Sequence, residues 1–84
     1  MFLAVCQRLT PKELEEFMGL VLSLQEKEEI DGRMHIIREL LLELHTQREM
    51  SDALSVSIAK ITRGSNALKT ISPNLKNTLR KILK

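Results

Sequence analysis

Eighty-four residues, 43% of them hydrophobic, with a single cysteine (Cys6), make one domain over residues 1–84 that neither disulfides nor a cysteine-rich metal site can brace. A chain this short buries a modest fraction of its surface, so a core shared with a second copy, a homodimer, is the expectation. The net charge of +2 is unevenly divided: residues 1–45 carry five basic and nine acidic side chains, residues 46–84 eight and two, so a polyanion would meet the second half.

The run Met1–Cys6 is apolar but too short for a secretory core segment and has no basic leader. No stretch approaches the ~20 apolar residues of a membrane span, so a soluble, cytoplasmic protein is expected. Thr10-Pro11 places a hydroxyl N-cap before a proline at the first helical position, and Glu13 completes a capping box. Leu14, Phe17, Met18, Val21 and Leu22 then form one helical stripe. A charged stretch, Gln25–Glu29, follows. Beyond it Ile30, Met34, Ile37, Leu41 and Leu44 recur at alternating four- and three-residue steps, a seam suited to helix packing. Gly32 weakens that helix by about 1 kcal/mol against alanine.

A second capping box, Thr46 with Glu49, opens a short helix over Thr46–Leu54. Ser55-Val56-Ser57 interrupts it, and Ser57 caps another helix from Ile58 to about Lys69. Ser72-Pro73 begins a last helix with Leu75, Leu79, Ile82 and Leu83 on one face. The fold class is all-α, five to six short helices without a strand.

Two short helices joined by three residues have the spacing of a helix-turn-helix, at about residues 46–69. Met50, Leu54, Val56 and Ile61 fall where its small core belongs, and Ser51 is small where the helices approach. The second helix would then present Ile58, Ala59, Lys60 and Thr62 to base edges, and Gln47 and Arg48 would hold phosphates. Spacing alone leaves an ordinary helical hairpin open.

Enzymatic chemistry has no foothold. There is no glycine-rich nucleotide loop, no P-loop, no His-Glu-x-x-His and no evident carboxylate pair. His35 and His45 are ten residues apart with no nearby cysteine, which suits no zinc site. Cys6 has no adjacent base, and Met18, Met34 and Met50 read as core filler.

The run Ile61-Thr62-Arg63-Gly64-Ser65-Asn66-Ala67-Leu68-Lys69 resembles the signature of the bacterial trp repressor family. The resemblance extends back through Arg33–Leu41 and Thr46–Glu49 and covers roughly Leu20 to Leu83. It implies an intertwined homodimer of the trp repressor type that represses transcription by binding double-stranded operator DNA. It also implies L-tryptophan as corepressor, seated between core and reading head, with no other cofactor and no metal. On that likeness Arg63 pairs with the ligand carboxylate and lies along the indole, and Arg33 covers the other face of the ring. Gly64 accepts from the indole N–H through its carbonyl. The backbone carbonyls of Leu20 and Leu22 take the ammonium, and Ser23 keeps a hydroxyl where the family often has threonine. For DNA, the likeness makes Gln47, Arg48 and Lys69 phosphate contacts and Ile58, Ala59, Lys60 and Thr62 the base-facing residues.

Three positions and one segment depart from the family. Ala67 stands where a serine can help hold the ammonium. Ser55 replaces a turn glycine, which forecasts mild strain if φ is positive there. Lys60 replaces a more neutral residue, which bears on operator preference. Most of the family's long first helix is expected to be missing. Two other readings stay open at this point: a DNA-binding relative that does not use tryptophan, and a helical protein-interaction module.

Overall fold

The computed structural model describes residues 1–84, and every regular element in it is an α-helix. They are α1 (Phe2–Gln7), α2 (Pro11–Val21), α3 (Leu24–Leu42), α4 (Gln47–Leu54), α5 (Ile58–Leu68) and α6 (Pro73–Leu83). Five of the six begin at a hydroxyl N-cap: Thr10, Ser23, Thr46, Ser57 and Ser72. Each accepts a hydrogen bond from an amide of the first turn that has no partner within the helix, worth about 1 kcal/mol per cap. At Thr10, Ser23 and Thr46 the third helical residue is a glutamate that reaches back to the cap amide, so both halves of the capping box are made.

The Ser23–Glu26 box is why α3 starts at Leu24. The charged stretch Gln25–Glu29 is the opening of the same helix as the apolar seam, and Gly32 does not break it. At 19 residues α3 is long rather than short and forms the spine, with α4, α5 and α6 packed against it. It ends where Glu43 turns into the left-handed region at φ 52°, and α4 ends the same way at Ser55, φ 55°.

The core is small. Ile36 from α3, Met50 from α4 and Ile61 from α5 are buried together, with Leu40, Leu54 and Val56 packed around them. The four helix-turn-helix positions expected from spacing are thus all in the cluster. Ile36 and Leu40 join them from a face of α3 that the seam did not include. Leu41 is buried nearer α6, where two arginines tie the helices by their ends. Arg38 Nε donates to the Leu83 carbonyl at 2.9 Å and Arg80 Nε to the Leu41 carbonyl at 3.3 Å. In α1 and α2 no residue is buried. Phe2 and Phe17 stack on each other with ring centres 5.8 Å apart, and the α2 stripe stays at least partly open.

Candidate ligand groove and nucleic-acid interface

The helix-turn-helix is built by α4, the turn Ser55–Ser57 and α5. Two hydrogen bonds fix the turn: Ser51 Oγ donates to the Val56 carbonyl at 2.6 Å, and the Val56 amide donates to the Ser51 carbonyl at 3.2 Å. Ser51 therefore does more than allow close approach. Burial of Met50 and Ile61 then sets the angle between the two helices.

The outer surface of this unit carries the residues expected to meet DNA. Gln47 and Arg48 are the first two residues of α4, and both are exposed. Ile58, Ala59, Lys60 and Thr62 are exposed in the first half of α5, and Lys69 is its exposed C-cap. Free amides at a helix start attract phosphate oxygens, and Arg48 adds a charge beside those of α4.

Behind α5, a groove of about 640 Å³ separates that helix from the first half of α3. The volume falls in the ~300–1,000 Å³ range of small-molecule sites. Ile36, Ile37, Val56 and Ala67 supply its apolar lining. Its charged lining comes from two sides: Arg33, Lys60 and Arg63 are cationic, and Glu28 and Glu29 on α3 are anionic. None of these five is in an ion pair, because the two pairs in the chain, His35 with Asp31 at 3.5 Å and His45 with Glu39 at 2.8 Å, involve other residues. Asp31, two residues before Arg33, lies instead beside His35.

Gly64 lets α5 come this close to α3. A Cβ on it would stand 3.1 Å from Ile36 Cγ2 and 3.3 Å from Leu40 Cδ1, tighter than nine in ten real contacts of this kind. The glycine is thus explained by packing as well as by any exposed carbonyl.

Of the residues expected to bind a ligand, Arg33, Arg63, Gly64 and Ala67 come together in this groove. Leu20, Leu22 and Ser23 do not line it. Leu20 is 81% exposed near the end of α2, Leu22 is the α2 C-cap, and Ser23 Oγ accepts from the Glu26 amide as the α3 cap. Lys60, expected among the base-facing residues, lines the groove as well. Gln25, Glu28, Glu29 and Gly32 also line it and were not anticipated. Their spacing from Arg33 and Ile36 along one helical face was the available signal.

A family profile described as "Trp repressor protein" matches residues 1–83. The chain belongs to this family. Among similar proteins is the Trp operon repressor homolog of Chlamydia caviae, 44% identical over 82 residues, which are 96% of this chain and 81% of that one. The Trp operon repressor homolog of Chlamydia trachomatis serovar D is 44% identical over 81 residues, 95% of this chain and 86% of that one. That of Vibrio cholerae is 37% identical over 79 residues, 94% and 77% of the two chains. The match from residue 1 takes in α1 and α2, a longer reach than the Leu20–Leu83 resemblance read from motifs. No helix is long and apolar enough to cross a membrane.

Proposed function

We propose that this chain is a transcriptional repressor that binds operator DNA through α4 and α5 and uses L-tryptophan as its corepressor, acting as a cytoplasmic homodimer and not as an enzyme. The observation that carries the reading is the groove. Arg33, Arg63 and Gly64 meet directly behind the recognition helix, so a ligand held there touches α3 and α5 together. An amino acid with an aromatic side chain suits such a lining. A guanidinium supplies paired donors to a carboxylate, and its flat face stacks on an indole ring. Filling the groove would hold α5 at one angle to the spine, and that angle decides whether two reading heads fit successive turns of a duplex.

The dimer is supported by surface. The chain exposes 6,827 Å², against roughly 5,100 Å² for a compact monomer of its mass. Its radius of gyration is 14.5 Å, against about 12 Å for a compact chain of this length. Only four residues of 84 are buried, while Phe2, Leu3, Leu20, Val21, Leu24 and Ile30 stand open. An intertwined partner would cover these side chains. It would also bring a second copy of Leu20, Leu22 and Ser23 to a groove that the chain's own copies do not line.

Isothermal titration of L-tryptophan into the protein tests this, with L-phenylalanine as control. The reading expects one selective site per chain, lost in Arg63→Ala. A folded dimer that gives no heat at millimolar tryptophan would overturn it and favour a ligand-independent DNA binder.

A further inference from the structure

We infer that Lys60 determines ligand specificity by holding the carboxylate of the bound amino acid together with Arg63; this rests on the reading of the groove as an amino-acid site. Lys60, Arg63, Gly64 and Ala67 follow one another at i, i+3, i+4 and i+7, a single stripe of α5, and all four line the groove. Ile58, Ala59 and Thr62 lie off that stripe and do not line it. By helix geometry and by location, Lys60 belongs with the ligand-facing residues.

Its backbone is fixed, since the Lys60 amide donates to Ser57 Oγ at 3.2 Å in the cap of α5. Its ammonium has no carboxylate partner in the chain, and neither does the Arg63 guanidinium one turn on. Two unpaired cations on one stripe beside apolar Val56 and Ile36 form a strong site for a single carboxylate, an arginine fork plus a lysine point charge. Glu28 and Glu29 line the same groove from α3. They oppose a dianion and favour a ligand that also carries an ammonium. The groove therefore favours a zwitterionic amino acid, with its carboxylate toward α5. Because Lys60 stands in the first turn of α5, the carboxylate would pull on the end of the recognition helix that reaches DNA.

The test is ligand binding in the absence of DNA, so that any contact of Lys60 with a duplex cannot contribute. Calorimetry would compare wild type, Lys60→Met and Lys60→Arg with L-tryptophan and with tryptamine, which lacks the carboxylate. Lys60→Met should weaken L-tryptophan about tenfold, the loss of one charge-assisted contact, and leave tryptamine unchanged. Lys60→Arg should restore most of the affinity. Circular dichroism and urea midpoints confirm folding, and Lys60→Gln replaces the methionine variant if that one aggregates. L-tryptophan binding by Lys60→Met within twofold of wild type overturns the inference and leaves the corepressor reading standing. An equal loss for tryptamine overturns it too, since the effect would not be through the carboxylate. A wild-type protein that binds neither compound removes the corepressor reading and this inference with it.

Discussion

Gly64 lies against Ile36 so closely that a methyl group on its α-carbon would sit 3.1 Å from the Ile36 side chain. This contact joins the recognition helix to the spine, and it lies beside the groove. Ile36 is itself 4% exposed and has little room to yield. Gly64→Ala should therefore destabilise the fold by about 1–2 kcal/mol, overpacking outweighing the gain in helix propensity. Gly32 provides the contrast, since a Cβ there meets nothing within 4 Å. Gly32→Ala should stabilise by about 0.5–1 kcal/mol. Urea midpoints at equal slope would measure both, and a shift of the same sign in the two variants would contradict the packing account.

The turn between α4 and α5 holds Ser55 at φ 55°. A side chain in that region costs about 1–2 kcal/mol, of which glycine's extra chain entropy returns part. Ser55→Gly should raise stability by about 0.5–1 kcal/mol. Ser51→Ala should lower it by about 1 kcal/mol by removing the 2.6 Å bond to the Val56 carbonyl. Thermal unfolding of the two single variants checks the pair. A stabilising Ser51→Ala would mean that the hydroxyl does not secure the turn.

His45 and Glu39 bridge the left-handed turn at Glu43, with Nδ1 and Oε2 2.8 Å apart. The hydrogen bond to Glu39 raises the histidine pKa above its ordinary value, with the nearby Glu39 and Glu49 charges adding to it and desolvation opposing. A raised folded-state value stabilises the fold where the unfolded histidine is also protonated. That contribution is whole below about pH 6.5 and disappears as pH climbs through the folded value. His45→Gln should thus lose most against wild type in mild acid, and the gap should close in alkali. Denaturation at about pH 5.5 and about pH 9 reads this directly, and an equal gap at both would count against the ion pair.

The capping glutamates behave in the opposite sense. Glu26 is held below the usual carboxylate range, first by the Ser23 backbone amide and then by its hydroxyl. Its depressed value means that the contribution is present above the unfolded carboxylate pKa and is lost as pH falls through the folded one. Glu26→Gln should match wild type in strong acid and fall behind it at neutral pH. A constant difference across that range would show that the charge is irrelevant to the cap.

Most of the fold was legible because its signals are local. Hydroxyl caps, prolines at the first helical position and apolar spacing marked α2, α4, α5 and α6 to within a residue or so. Met50, Leu54, Val56 and Ile61 were placed in the core by the same spacing. Ile36 and Leu40 escaped because α3 has apolar residues on two faces, and a single seam describes one of them. The Ser23–Glu26 box was equally local but was masked by the charge run that follows it. Arg33, Arg63 and Gly64 were singled out by the family resemblance and not by residue type alone, and the structure brings the three together in one groove. Glu28 and Glu29 look like solvated surface in one dimension and Lys60 like a base-facing residue, and only the packing of α5 on α3 turns them toward a shared groove. Leu20, Leu22 and Ser23, expected on the family likeness to hold a ligand, do not line the groove of the single chain.

The most direct test of the central claim joins the two sites. A duplex selected from a random pool would be titrated with protein, with and without saturating L-tryptophan, at one fixed salt concentration. If the ligand sets the angle of α5, tryptophan should tighten duplex binding by about tenfold or more, a coupling of ordinary allosteric size. Equal affinity in its presence and absence, with tryptophan shown to be bound, would contradict the account.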